Sequence, residues 1–158
     1  MLDQRFLDQF RQTVDSAAAR LLTVSDVDAS RRPPPGKWSR KEIIGHLIDS
    51  AAHNHVRFVR AQLQDDFVFT GYDQDAFVRA QRYQDRPWAD LVRLWQLHNH
   101  HIASVMATAD PQAIDKPRLP HNLDRIAWKP VPTGEPTTLD YFMRDYVGHL
   151  EHHLRQTT

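Results

Sequence analysis

The sequence predicts an all-α protein: a four-helix bundle with one long crossover connection. Three observations carry that expectation. Four stretches place apolar residues at three- and four-residue steps, no stretch alternates convincingly as a strand would, and a proline-studded segment of roughly thirty residues precedes the last helix.

The first helix is expected from about Asp3 to Leu22, with Phe6, Phe10, Val14, Ala17, Ala18 and Leu21 along one stripe. It dissolves into Ser25-Asp-Val-Asp-Ala-Ser30 and breaks at Pro33-Pro34-Pro35-Gly36. The second helix has the clearest start. Ser39 is placed to act as N-cap, and Glu42, three residues on, completes a capping box in which each side chain serves the other residue's amide. Its apolar positions are Ile44, Leu47, Ile48, Ala51, Phe58, Val59 and Leu63, about six turns, ending before Gly71. A shorter helical piece fits Gln74 to Arg82.

The third helix begins near Pro87, a residue suited to a first turn. It carries Leu91, Leu94, Trp95, His98, Ile102, Val105 and Met106 on one face and ends before Pro111. The fourth follows Gly134-Glu-Pro-Thr-Thr138 and presents Leu139, Phe142, Met143, Tyr146, Val147, Leu150 and Leu154. Between them lie five prolines from Pro111 to Pro132, then Pro136, with room for a short β-like excursion around Ile126-Ala-Trp128. A connection this long suits a crossover better than a plain hairpin. No repeat or linker divides the chain, so one domain over residues 1–158 is expected, near the commonest domain size.

Composition narrows the function. Lys plus Arg (20) balances Asp plus Glu (20), so no net field gathers nucleic acid or an anionic membrane, and neither is expected as a partner. The absence of cysteine excludes disulfides, thiolate metal sites and a cysteine nucleophile. The first ten residues are amphipathic and charged, unlike a signal peptide or a membrane span, and a cytoplasmic location is the default expectation. Ten histidines among 158 residues are then conspicuous, because imidazole is the commonest metal ligand and the usual acid–base group near neutral pH.

His149 and His153 stand four apart in the last helix, on one face, with Cβ atoms about 6 Å apart. Two imidazoles so spaced can share one ion. The zinc-protease motif needs a glutamate directly after its first histidine, and Leu150 stands there instead. Such a pair is also common as surface decoration, so spacing leaves both readings open. His152 points elsewhere, toward solvent or toward a ligand ring. His46 shares a strip with Ser50, His53 and Arg57 to one side of the apolar stripe, and periodicity alone makes that a solvated face. His53 is too far along to chelate with His46. In the His98-Asn-His100-His101 run, His98 falls among core positions as a satisfied buried histidine, whereas His100, His101 and His121 are expected at the surface or a pocket rim.

Two segments carry a resemblance. Lys37-Trp38-Ser39-Arg-Lys-Glu42-Ile-Ile-Gly-His46-Leu-Ile-Asp49-Ser50 is similar to the opening motif of the DinB/YfiT-like proteins. Asp145-Tyr146-Val-Gly-His149-Leu-Glu-His152-His153-Leu-Arg-Gln156 resembles their closing His-x-x-His-His motif. Gly71-Tyr72-Asp73-Gln74 and Leu97-His98 are weaker landmarks between them, and the resemblance spans roughly residues 5 to 156. It implies a four-helix bundle with a long crossover, often a homodimer, whose metal site takes one histidine from the second helix and two from the fourth. Carried over, these are His46, His149 and His153. It further implies a metal-dependent hydrolase or thiol S-transferase, with low-molecular-weight thiols such as bacillithiol as the usual cosubstrates.

Three neutral imidazoles leave a divalent ion an open position, as at catalytic sites. Zinc and nickel both suit such ligands. The expected chemistry is either water activation against a small-molecule ester or amide, or thiol transfer to an electrophile. With no cysteine in the chain, the thiol must come as a cosubstrate, and the lack of a firmly placed carboxylate base leans toward transfer. Asp49 and Glu151 are candidates to orient the ligand rings, or ordinary helix charges. Arg57 or Arg155 could meet an anionic cosubstrate. The alternative is a non-catalytic metal-binding or dimerising helical module.

Overall fold

The computed structural model describes residues 2–158. Four long helices form the bundle: α1 (Gln4–Leu21), then, after the short α2 (Asp26–Ser30), α3 (Arg40–Arg60); after α4 (Gln74–Gln81) comes α5 (Trp88–Ala107); and after the short α6 (Pro111–Asp115) and α7 (Leu123–Ile126) comes α8 (Leu139–Arg155). α5 packs on α3 and α1, and α8 closes against α3 and α1. The helices start where local chemistry predicts. Asp3, Ser39, Asp73 and Thr138 each accept a bond from an orphan amide in the first turn, and at Ser39 the reciprocal capping box with Glu42 is complete.

The core gathers Phe10, Leu21, Ile44, Leu47, Phe58, Trp95, Ile102, Met106 and Phe142, all at 1% exposure or less. Phe58 meets Phe142 and Tyr146 edge-on at 5.5 and 5.7 Å, linking α3 to α8. The Tyr146 hydroxyl donates to Asn99 Oδ1 at 2.6 Å, so the polar tip of this buried ring is satisfied across to α5.

Several details differ from the sequence expectation. α3 stops at Arg60 rather than continuing past Leu63, which is 81% exposed, because the chain turns there to deliver Phe67 and Phe69 into the core. Leu94 faces solvent. Residues 25–30, expected as the frayed end of the first helix, form the separate helix α2, capped by Ser25. The β-like excursion at Ile126 is instead the end of a helical turn. The crossover's β character consists of two isolated bridges, Phe67 with His121 and Arg118 with Thr137, and no strand forms among the described residues. Within the same limit, no helix is long and apolar enough to cross a membrane.

Candidate metal centre

The N-terminal end of α3 and the C-terminal end of α8 meet, and three histidines meet with them. One ring nitrogen from each of His46, His149 and His153 lies within 4.8 Å of the others, the one such group among the described residues. Nε2 of His46 and Nε2 of His149 are 3.4 Å apart. Two ligands at about 2.1 Å from a tetrahedral ion stand about 3.4 Å from each other, so this edge has the dimension of a coordination sphere.

Electrostatics agree. Burial, with the neighbouring rings adding to it, pushes His46 down to about 3 and His149 to about 4, and burial lowers His153 as well. All three are therefore neutral at physiological pH, as ligands must be. His153 Nδ1 meets Gln156 Oε1 at 2.8 Å. An amide oxygen only accepts, so Nδ1 carries the proton and Nε2 presents its lone pair. His46 Nδ1 is buried without a partner, so the polar capacity of that ring is spent on the cluster. Three lone pairs with at most one shared proton among them are poorly satisfied, and a cation satisfies all three. The donor set fits a divalent metal.

His46 is 2% exposed, not solvated. The strip His46, Ser50, Arg57 is polar because it lines a cavity, which α8 covers. That cavity, of about 370 Å³, is walled by His46, His149, Ser50, Asn54, Arg57, Tyr72, Trp128 and Asp145, among others. Two close approaches shape the surroundings. A Cβ on Gly45 would come within 2.1 Å of the Tyr83 ring, and one on Gly148 within 2.9 Å of Trp128, so both aromatic rings lie flush against helix backbone beside the histidines. The Trp38 ring stacks tilted on His46 at 5.1 Å.

Asp49 is 5% exposed and turned away from the rings: its Oδ1 accepts from the Tyr83 hydroxyl at 2.7 Å and Gln81 Nε2 at 2.6 Å. Glu151 is half-buried and makes no hydrogen bond to a ligand ring. The residue that does is Gln156, present in the closing motif but given no role by spacing alone. His53 bonds its own helix through Asp49 O and stacks on Tyr72 at 3.8 Å. His152 sits beside Trp128 and His153.

The other histidines are elsewhere. His98 is half-exposed rather than buried, and Asn99 takes the core position beside it. His100 pairs with Asp15, and His101 meets His55 at 3.2 Å on the outer surface. His121 is 8% exposed, not at a rim. It braces the crossover, with Nε2 on Glu135 O and Nδ1 accepting from the Leu123 amide. Arg155 is exposed, whereas Arg57 is buried in the cavity wall.

Comparison with known proteins agrees with this architecture. The family model described as the DinB superfamily matches residues 7–157. A Bacillus subtilis (strain 168) relative, named "Putative metal-dependent hydrolase YfiT", is 25% identical over 159 residues, spanning 96% of this chain and 82% of its own length. A solved structure of YfiT from Bacillus subtilis, described as a probable metal-dependent hydrolase with an unusual four-helix bundle topology, shares the fold. Its TM-score is 0.75 at 19% identity, covering 99% of this chain and 86% of that one.

Proposed function

The chain belongs to the DinB superfamily, and from that premise we propose that it is a metal-dependent enzyme whose single divalent ion is held by His46, His149 and His153. The convergence of three neutral imidazoles, two of them on the wall of a cavity sized for a small molecule, carries the proposal. A storage or purely structural site would close its remaining position with another protein ligand, and no fourth His, Asp or Glu joins the cluster among the described residues. That favours an enzyme over a passive module. Zinc and nickel both suit imidazole ligands.

When bound, a divalent cation with an open position supplies Lewis acidity, lowering the pKa of a water or thiol that reaches it. The protein's own residues do the rest. Gln156 fixes the His153 ring, and burial keeps the three imidazoles unprotonated. Trp128 narrows the cavity wall. Of the two nucleophiles, a low-molecular-weight thiol is the better supported. The carboxylate nearest in sequence to His46, Asp49, is held by Tyr83 and Gln81. The only carboxylate in the cavity wall, Asp145, is held by the amides of Trp128 and Lys129. Asp49 does not line the cavity and Asp145 has both oxygens engaged, so neither stands placed as a general base for water. The transfer forms a carbon–sulfur bond and releases the leaving group together with the thiol proton. Hydrolysis is the second reading, favoured by the name of the Bacillus subtilis relative.

Elemental analysis of tag-free protein, followed by a screen of small thiols with a reactive electrophile, tests the proposal. One bound ion per chain and a thioether product that disappears on chelation are expected. A protein without stoichiometric metal overturns it, and ester cleavage without thioether formation selects hydrolysis.

A further inference from the structure

The cavity beside the histidines also contains a buried cation with no counter-charge. Arg57 lies eleven residues after His46 on α3, which returns it to within about 20° of the same face, about 16 Å further along the axis. Despite that separation, both residues line the same cavity. Arg57 is 6% exposed. Among the described residues its one protein hydrogen bond runs from Nη2 to Thr70 O at 2.8 Å. No carboxylate among the described residues pairs with it, and burial pulls its pKa below the ordinary arginine value, opposed only by Tyr72.

On a residue this buried, a guanidinium without an opposite charge is costly, and removing one partner of a buried ion pair is among the more expensive changes a protein can suffer. Among the described residues nothing supplies that partner. The remaining charges in the cavity wall do not either. Asp145 has both oxygens engaged by the Trp128 and Lys129 amides, each at 2.8 Å, and Arg125 at the mouth adds a second positive charge.

We propose that Arg57 is the anion-binding residue of this cavity, taking a carboxylate or phosphoryl group of the substrate or cosubstrate through its free N–H groups. The planar fork of arginine suits either oxyanion in a two-point contact. Ser50, Asn54 and Tyr72 line the same stretch of wall and add neutral polar contacts. Allowing for the reach of the arginine side chain, the anionic group sits on the order of 10 Å from the reacting end. The ligand class is thus an elongated acidic small molecule. The orientation of that molecule rests on the metal-enzyme reading; the anion site itself does not.

Titration of chelator-treated protein with inorganic phosphate and, separately, acetate at pH 8 tests this, followed by the fluorescence of tryptophan, since Trp128 lines the cavity. At that pH the imidazoles carry no charge that could mimic the site. Wild type should saturate, with whichever anion binds more tightly naming the natural group. Arg57→Gln should weaken binding at least tenfold, and Arg57→Lys, which keeps the charge but not the fork, about threefold or more. Circular dichroism confirms folding, and if Arg57→Gln does not fold, the lysine variant decides. Failure of wild type to bind either anion saturably, or an unchanged midpoint in a folded Arg57 variant, overturns the inference. Metal uptake is measured in parallel. Wild type without metal but with Arg57-dependent anion binding sinks only the metal-enzyme reading, and metal uptake without that dependence sinks only this one.

Discussion

His46 Nε2 and His149 Nε2 stand 3.4 Å apart although 103 residues separate them in the chain. Such proximity between a buried and a half-buried neutral ring from different helices is a tertiary arrangement, and it makes the ligand set testable one residue at a time. Replacing His149 with alanine leaves two nitrogens, insufficient to hold an ion at stoichiometry against a mild chelator. Metal content should fall from one ion per chain to a small fraction, while far-ultraviolet helicity changes little. Retention of one ion per chain in that variant would refute the assignment.

Gln156 offers a subtler test, because it touches a ligand ring without being a ligand. Its Oε1 fixes the tautomer and the direction of His153. Gln156→Leu removes that acceptor at an exposed position, so stability should hardly move, whereas metal affinity should fall about ten- to a hundredfold, the usual effect of losing such a partner. Competition with a fluorescent chelator measures it. An unchanged affinity would mean that packing alone sets the His153 ring.

Asp49 and Tyr83 provide the contrasting case. The phenol lies against Gly45 and donates to the buried carboxylate, whose other oxygen already lacks a partner. Tyr83→Phe therefore should destabilise the fold by about 1–3 kcal/mol. Metal affinity should stay within twofold, since Asp49 does not touch the ligand rings. Urea denaturation and a metal titration on the same variant separate the two effects. A tenfold loss of metal affinity at unchanged stability would reassign Asp49 to the centre.

These cases mark what the sequence could and could not tell. Ser39 and Glu42 announced the start of α3 because capping is local chemistry. The end of α3 was not legible, since it depends on Phe67 and Phe69 finding a distant core. The polar strip of His46, Ser50 and Arg57 looked solvated because periodicity reports polarity, not which polar face another helix will cover. For the same reason Asn99, not His98, occupies the core: its side chain is satisfied by Trp95 O and the Tyr146 hydroxyl, contacts that only the folded bundle supplies. The resemblance of the two end motifs named the three histidines; their convergence is a property of the packing.

Acid sensitivity follows from the same burial. Burial pushes His46 down to about 3 and His149 to about 4 in the folded protein, against 6.5 for an ordinary imidazole, so the unfolded chain binds more protons throughout that interval. Stability therefore rises with pH across it. The contribution is complete above about 6.5 and is lost progressively as pH falls toward the folded values. At 1.36 kcal/mol per pKa unit, lowering the pH from 7.5 to 5.0 should remove about 2 kcal/mol for His46 alone in chelator-treated protein. Asp49 and Asp145 act in the opposite sense. Burial raises both, so their contribution is full below 3.8 and fades as pH climbs through their folded values, partly offsetting the histidines. The urea midpoint of the metal-free protein should thus fall between pH 7.5 and 5.0. His46→Gln, which keeps a polar group of similar size but cannot titrate, should flatten that dependence even where it lowers stability overall. A midpoint independent of pH in wild type would mean that His46 and His149 are not held neutral in solution.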